Sequence, residues 1–309
     1  MELDISKNSL KVYDALASET RLAIIQLIGK KKMNMSQLAE KMNLSNAIIT
    51  RHIQKLEQAG IVKSEKLPGK SGVQKLVYLG IDDIHIRFPE QIYHAYKLHT
   101  TDLKIGHFTD FEIKPTCGLA TATSIVGKAD EPKYFMDSNR VDASLLWFSE
   151  GFVEYKIPNL LQERQIPELL EISFEVSSEF PLSNNVWPSD ISIYVNDQKV
   201  AVYTVPGNYS DTRGHYTPDW WDDHFSQYGL LKHLRINTLD TGIDGEKYSD
   251  ITIKDLDLEN NPFIKLRFEI ETDAKNKGGI TLFGENFGNH KQNIILNLYY
   301  SDELKIQAN

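Results

Sequence analysis

The sequence predicts a multidomain protein, with an N-terminal α+β winged helix-turn-helix domain followed by an all-β antiparallel sandwich that is jelly-roll-like. Three observations support this fold class. The 309-residue length exceeds that of one typical domain. Apolar residues recur at helical spacing near the N-terminus and alternate with period two from about residue 105 onward. The charge is also divided, because residues 1–80 carry 13 Lys and Arg against 7 Asp and Glu, a net +6, within a chain of net charge −9.

Residues 35–62 have the pattern of a helix-turn-helix, preceded by two short helices over residues 7–17 and 18–28. The apolar positions of the motif are Leu38, Ala39, Met42, Ile49, Ile53 and Leu56. They recur at helical spacing, so each helix of the motif has one apolar face. Between the two helices, Asn43 is suited to ending the first and Ser45 to capping the second.

A β-hairpin is expected directly after this motif. Residues 61–67 and 73–79 are apolar-rich runs on either side of a Pro and Gly turn at residues 68–72. A hairpin in this position is the wing of a winged helix. Its lysines are placed to contact phosphates or the minor groove of DNA.

The polar face of the second helix suits contact with double-stranded DNA. When the apolar face is buried, the opposite face presents short polar and cationic groups that match base edges and phosphates. The predicted DNA-contacting residues are Ser36, Gln37, Ser45, Asn46, Thr50, Arg51, His52, Lys55, Lys66, Lys70 and Lys75. The net charge of −9 argues against DNA as a partner, but the positive charge lies on this segment and the acidic remainder carries −15.

Residues 7–80 resemble the ArsR/SmtB family of winged-helix repressors. The resemblance lies in Ala17–Ile25, Gln37–Met42 and Arg51–Val62. It implies a homodimer on a palindromic operator, with residues 1–17 and a helix after the wing at the dimer contact. Metal-sensing members place two cysteines before the recognition helix, and Met33–Ala39 has none, so thiolate metal sensing is not expected here.

Residues 81–104 are expected to form a linker or dimerisation helix between a winged domain at 1–80 and a β domain at 105–309. Pro89 can begin this helix, and residues 90–99 continue it. The alternative is a metal site, for which the candidate ligands are Asp82, Asp83, His85, His94 and His99.

Several other features bound the class of protein. Cys117 is the only cysteine, so no disulfide framework is possible within one chain, and the thiol is expected to be buried and inert rather than redox-active. No apolar run is long enough to span a bilayer, and the N-terminus lacks the features of a signal peptide. We therefore expect a cytoplasmic protein that needs no cofactor and contacts no membrane.

About ten short strands are expected after residue 105, with Asn, Asp, Gly and Pro turns between them. The predicted strands are residues 108–114, 144–148, 151–157, 170–177, 191–196, 199–205, 231–237, 249–253, 263–270 and 292–299. So many short strands with almost no helical stretch indicate an antiparallel sandwich.

The long loop at residues 206–229 is the strongest candidate for ligand binding in this domain. It combines aromatic side chains with Asp and Arg, a composition that suits stacking on sugar rings and bonding to their hydroxyls. The predicted ligand-binding residues are Trp187, Asp190, Arg213, His215, Tyr216, Asp219, Trp220, Trp221 and Tyr228. The alternative is that Trp220, Trp221 and Tyr228 plug one end of the sandwich, and Trp147 is expected in the core.

Catalysis is the less favoured interpretation of the β domain. The carboxylates that could form a glycosidase pair are Glu150, Glu154, Glu175, Glu179, Asp190 and Asp219. A metal could be held by His215, Asp219, Asp222, Asp223 and His224, but their spacing matches no closed site. The glycine-rich Gly278–Gly288 lacks a P-loop lysine and is expected to be a tight turn plus an edge strand.

The leading hypothesis is a transcriptional regulator, most simply a repressor, whose β domain senses a small polar ligand such as a carbohydrate. A second hypothesis makes the β domain a protein-interaction or oligomerisation module. A third makes it a carbohydrate-active enzyme fused to a DNA-binding domain.

Overall fold

The structure, a computed structural model, describes residues 1–69, 72–87, 96–181 and 184–302. The chain divides into two compact units, Met1–Tyr93 and His94–Asn309. None of the helices in these described ranges is long and apolar enough to cross a membrane.

The N-terminal unit is a winged helix-turn-helix. Its elements are β1 (Glu2–Asp4), α1 (Leu10–Leu16), α2 (Glu19–Lys30), β2 (Met33–Asn34), α3 (Met35–Met42), α4 (Asn46–Gln58), β3 (Val62–Gly69), β4 (Gly72–Leu79) and β5 (His85–Arg87). Strands β2, β4 and β3 form an antiparallel sheet in that order, and β1 pairs in parallel with β5. The predicted helix-turn-helix and hairpin are therefore confirmed.

The core of this unit follows from the helical spacing of the apolar residues. The side chains of Leu38, Ile49, Ile53 and Leu56 are fully buried, together with Ile24 of α2. The buried Arg21 fixes the end of α1, because its Nε donates to the carbonyl oxygen of Ala15 at 2.6 Å. Such a charge-assisted bond satisfies a helix-end carbonyl that would otherwise have no partner.

The described residues of the C-terminal unit form twelve strands. They are β6 (Lys97–Leu103), β7 (Asp110–Ala120), β8 (Leu145–Pro158), β9 (Gln165–Ser177), β10 (Ser189–Val195), β11 (Gln198–Val205), β12 (Leu230–Ile236), β13 (Thr241–Ile243), β14 (Glu246–Ser249), β15 (Phe263–Ile270), β16 (Ile280–Phe283) and β17 (Ile294–Asp302). Four short 3₁₀ helices connect them, at Ile105–His107, Pro132–Met136, Ser138–Asp142 and Ile253–Leu256.

These strands form one antiparallel sheet that folds back on itself into two packed halves. One half has the order β7-β8-β15-β10-β11, the other has β6-β17-β9-β12-β13-β14, and β16 joins them by pairing with β8 and β9. The rings of Phe174 on β9 and Phe268 on β15 meet edge to face across the core at 4.9 Å. At the far side, the Ser249 hydroxyl of β14 donates to the carbonyl of Val200 on β11 at 2.7 Å. The predicted sandwich is thus a nearly closed, barrel-like sheet.

Three sequence predictions need correction here. The helix expected over residues 90–99 lies largely outside the described residues, and from Lys97 the chain is strand β6, because it pairs with β17 and His99 stacks on Tyr300. The expected edge strand after Gly278 is β16, which lies between two strands rather than at an edge. The strand expected over residues 249–253 is also wrong, because β14 ends at Ser249 and a 3₁₀ helix begins at Ile253.

Candidate functional site

The turn between α3 and α4 is fixed by side-chain caps. Asn34 and Gln37 form a capping box at the start of α3, with Oδ1 of Asn34 accepting from the Gln37 backbone and Oε1 of Gln37 accepting from the Asn34 backbone. Asn43 ends α3 in the left-handed conformation, with φ of 52°. Ser45 caps α4 by accepting from the backbone N–H of Ile48 at 3.3 Å. Both expected caps are confirmed, and Gln37 has a structural role that competes with its predicted phosphate contact.

The solvent face of α4 is polar and cationic. Asn46, Thr50, Arg51 and Lys55 are exposed, as the helical spacing predicted. Arg51 makes no hydrogen bond or salt bridge within the described residues, whereas Lys55 pairs with Asp14 of α1 at 2.7 Å. Both lysine and aspartate of that pair are exposed, so the pair contributes little to stability and leaves Lys55 available. Thr50 donates its hydroxyl back to the carbonyl of Asn46 at 2.7 Å.

His52 lies beside this face and is partly buried. Burial lowers the pKa of its imidazole, and the positive charges of Arg21, Arg51 and Lys55 lower it further. The lowered pKa favours the neutral imidazole over the cation.

Of the three wing lysines predicted to contact DNA, only Lys75 has a side chain within the described part of the structure. Lys75 forms a salt bridge with Glu57 of α4 at 2.8 Å, which joins β4 to the end of the helix. Lys70 and the side chain of Lys66 lie outside the described residues. Ser36, at the first turn of α3, is exposed. DNA contact by these residues stays a prediction.

Arg213 and Tyr228, two of the predicted ligand-binding residues on the loop 206–229, bond to other residues of the same loop. The Arg213 guanidinium donates to the carbonyls of Pro218 and Trp221 and forms a salt bridge with Asp223. The Tyr228 hydroxyl donates to Asp211 at 2.8 Å, and its ring stacks on Tyr209. Arginine bonds to backbone carbonyls and stacked rings are typical of a structured loop. The composition of the loop 206–229 is therefore explained by contacts within the loop as well as by any ligand.

The other predicted ligand-binding residues lie in separate local environments. Asp190 accepts from Asn276 and Thr204, which ties β10 to its neighbours. Trp187 packs edge-on against Phe180. The His215 ring meets Tyr216 edge-on and its backbone N–H donates to Asn289, while Asp219 is exposed. The structure therefore does not bring the nine predicted residues together in one pocket.

The two adjacent tryptophans differ. Trp221 is buried, and its Nε1 donates to the carbonyl of Ser226 at 3.0 Å. Trp220 is 40% exposed, and its Nε1 donates to the carbonyl of Ala122 at 2.7 Å. Trp221 contacts Trp147 edge to face, so it both closes this end of the sheet and forms the wall of a cavity.

The cavity has a volume of about 280 Å³, within the C-terminal unit. Its lining includes four aromatic side chains, Trp147, Phe180, Trp221 and Phe225. Its polar lining comes from Thr116, Asp130, Glu179, Asn208, Ser226 and Thr281. Trp147, which was expected in the core, is only partly buried because it lines this cavity.

Two buried residues, Glu179 and Asn208, belong to the lining of the cavity. Glu179 is 8% exposed, and burial raises the pKa of its carboxyl to about 7, an effect that the nearby Asp130 charge reinforces and a hydrogen bond from Thr116 opposes. Asn208 is 1% exposed, and its Oδ1 has no hydrogen-bond partner within the described residues. Cys117, next to Asp130, is buried as expected, and burial raises the pKa of its thiol to about 11.

The other carboxylates of the enzyme hypothesis are engaged in structural contacts. Glu150 pairs with Lys114 and Glu154 with Arg267. Glu175 is buried and accepts from the backbone N–H groups of Gly229, Asn289 and His290, which fastens two loops to β9. Asp222 and Asp223 of the metal hypothesis bind His224 and Arg213, respectively.

Sequence reasoning missed the cavity as a site. Asp130, Asn208 and Phe225 were not singled out, and Glu179 was considered only as one of six possible catalytic carboxylates. The one available signal is that Glu179 lies two residues after the end of the apolar strand β9, where a buried carboxylate would need a partner.

Comparison with known proteins concerns the N-terminal unit. Residues 16–65 match a protein family described as a helix-turn-helix domain. An HTH-type transcriptional regulator of Methanocaldococcus jannaschii is 32% identical over 56 residues, which are 18% of this chain and 59% of that protein. The chain thus spans about three-fifths of the length of this relative.

Two solved structures are similar to the same part of the chain. HlyU from Vibrio cholerae is 22% identical, covering 25% of this chain and 83% of that one, with a TM-score of 0.22. NolR from Sinorhizobium fredii is 23% identical, covering 24% of this chain and 70% of that one, with a TM-score of 0.21. From the family match and the geometry of α3, α4 and the wing, the chain carries a winged helix-turn-helix domain at its N-terminus.

Proposed function

We propose that the protein is a DNA-binding transcriptional regulator in which α4 is the recognition helix. The observation that carries this proposal is the exposed polar face of α4 on a helix whose other face is fully buried. Asn46 and Arg51 are suited to base edges, and Lys55 to a phosphate. A helix-turn-helix places its second helix in the major groove in this manner.

We propose further that the regulator acts as a homodimer on a palindromic operator. Leu10 of α1 and Leu22 of α2 are large apolar side chains that are exposed in the single chain, which supports a protein contact on this side of the unit. The two N-terminal units of such a dimer would bind half-sites about 34 Å apart, which is one helical turn of DNA. Light scattering on the purified protein tests this, and a strictly monomeric mass that persists on DNA would contradict it.

The DNA-binding proposal is tested by selection from a random duplex library with the full chain. The wild-type protein is expected to enrich an inverted repeat, and Arg51→Ala is expected to enrich it at least about tenfold less. Lys291→Ala removes one exposed positive charge from the C-terminal unit and serves as the matched control. Equal enrichment by Arg51→Ala and the control would contradict the assignment of α4.

The C-terminal unit is proposed to sense a small ligand, and the sequence favours a carbohydrate. One observation supports a saccharide: the exposed Trp220 lies beside a groove of about 540 Å³ whose polar lining is Lys104, Thr121, Thr123, Ser124, Asn139, Asp142, Ser144, Glu285 and Asn286. An exposed indole next to hydroxyl, amide and carboxylate groups suits a sugar ring.

A thermal-shift screen against mono- and oligosaccharides tests this second proposal. We expect stabilisation by a saccharide that Trp220→Ala removes and that Leu239→Ala, at another exposed apolar residue, retains. No stabilisation by any sugar would favour the interaction-module hypothesis, and turnover of a bound sugar would favour the enzyme hypothesis.

A further inference from the structure

The aromatic cavity behind Trp221 adjoins the groove beside Trp220, since Ile125 lines both, but the chemistry of its lining is different. Trp147, Phe180, Trp221 and Phe225 supply four aromatic faces or edges around about 280 Å³. This volume suits a molecule the size of a small aromatic amine. Asp130 and Phe225 are exposed members of the lining, so the cavity communicates with solvent.

The polar part of the lining is rich in acceptors. Glu179 and Asp130 contribute carboxyl groups. Among the described residues that line the cavity there is no Lys, Arg or His. An anionic ligand would therefore find no cationic partner in this lining and would be repelled by its carboxylates.

The orientation of the Asn208 amide is fixed by its neighbours. Its Nδ2 donates to the carbonyl of Ser178 at 3.1 Å and to the hydroxyl of Ser226. Turning the amide over would put Oδ1 against the Ser178 carbonyl oxygen, which is an acceptor and would repel it. Oδ1 is thus held in a buried position that lacks a donor within the described residues and lies behind the surface of the cavity.

We propose that this cavity binds a small primary ammonium compound with an apolar body. The ammonium group donates to the Glu179 carboxylate, while the body packs between the aromatic side chains, where a cation over an indole face is also favoured. Asp130 adds a second negative charge nearby. This inference deepens the proposed sensing role of the C-terminal unit but does not require that DNA binding respond.

The pH dependence of binding follows from the groups that face Glu179. These are the Asp130 carboxylate and the thiol of Cys117, whose raised pKa of about 11 keeps it neutral. Because the pKa of Glu179 is raised to about 7, its carboxylate is more fully formed above neutral pH. Amine affinity is expected to rise between about pH 6 and about pH 8, while the amine itself stays protonated.

The experiment uses the full-length protein and tryptophan fluorescence, with calorimetry as the second readout. The probes are butylamine, phenethylamine and tryptamine, with 2-phenylethanol as the neutral isostere and 3-phenylpropanoate as the anion. At least one amine is expected to bind at least about tenfold more tightly than 2-phenylethanol, with no binding of the anion. Glu179→Gln is expected to reduce that affinity by about tenfold or more, and Glu163→Gln, at an exposed carboxylate, is expected to leave it unchanged.

Three outcomes would overturn the inference: no binding by any of the three amines, equal binding of the neutral isostere, or amine binding that Glu179→Gln leaves intact in a variant whose unfolding curve is normal. Saccharide stabilisation without amine binding would retain the sensor and reject this ligand class. Amine binding that leaves DNA affinity unchanged would retain the ligand class and reject the sensor.

Discussion

The exposed face of α4 and the loop 206–229 hold similar kinds of side chain but use them differently. On α4, Arg51 has no described hydrogen-bond partner, and Lys55 has only an exposed one. On the loop, Arg213 and Tyr228 are bound to groups of the same loop. A helix satisfies its backbone internally and leaves its outer side chains available, whereas a long loop needs side chains to satisfy its own backbone. Loop composition alone is therefore weaker evidence for a ligand site.

The largest effect is expected from separating the two faces of α4. Ile53→Ala removes a fully buried side chain and should lower the stability of the N-terminal unit by about 2–5 kcal/mol. Arg51→Ala, two positions away on the exposed face, should change it by less than about 0.5 kcal/mol. Far-UV circular dichroism measures this, because the α-helices of the described chain all lie in this unit. Equal losses of stability in the two variants would mean that the Arg51 side chain makes contacts that stabilise the fold.

Arg213→Ala tests whether the loop 206–229 depends on its own contacts. Loss of the bonds to Pro218 and Trp221 is expected to destabilise the C-terminal unit by about 1–3 kcal/mol. Denaturant unfolding followed by tryptophan fluorescence reports this unit selectively, because all four tryptophans lie at or beyond Trp147. If Arg213→Ala unfolds like Lys291→Ala, the arginine is available for a ligand after all.

The pH dependence of stability should differ between the two units. The pKa of Glu179 is raised to about 7 by burial, so the folded C-terminal unit holds this proton more tightly than the unfolded chain does. Its stabilising contribution is complete below the ordinary glutamate pKa and is lost as the pH rises through about 7. Burial lowers the pKa of His52 in the N-terminal unit, which has the opposite sign, since protonation on acidification opposes folding there.

Thermal unfolding between about pH 5 and about pH 8 checks these signs. The tryptophan-detected Tm is expected to fall across this range. Each pKa unit of difference between the folded and unfolded states changes the free energy of unfolding by about 1.4 kcal/mol, which is about 3 °C in Tm for a domain of this size. Glu179→Gln should reduce the slope of Tm against pH, and Glu163→Gln should leave this slope unchanged. A slope that is unchanged in Glu179→Gln would mean that the carboxyl is not buried against the cavity wall.

The smallest effect is expected for Lys55→Ala, which removes the exposed pair with Asp14. We expect a stability change below about 1 kcal/mol together with a reduced salt dependence of DNA binding. An unchanged salt slope in a filter-binding series would place Lys55 away from the phosphates.

Local patterns predicted the elements better than the cavity. The buried positions Ile49, Ile53 and Leu56 follow from helical spacing, and the caps at Asn43 and Ser45 from residue type. The cavity could not be predicted in this way, because its walls come from Asp130, Trp147, Glu179, Asn208 and Trp221, which lie on separate strands and loops. Their proximity depends on how the sheet folds back on itself, which is set by long-range pairing rather than by local periodicity.

The position of β16 in the sheet likewise could not be predicted from local sequence patterns. Its four residues follow a glycine-rich turn, which indicates a strand but does not say where in the sheet it pairs. Only the pairing with both β8 and β9 makes it the link between the two halves.

The central claim is that α4 reads DNA, and a fluorescence-anisotropy titration tests it most directly. The duplex is the inverted repeat enriched by the wild-type protein, with a scrambled duplex of equal composition beside it. The wild-type protein should prefer the repeat by about a thousandfold, and Arg51→Ala should lose at least about tenfold of that preference while keeping its weak affinity for the scrambled duplex. An unchanged preference in Arg51→Ala would contradict the account.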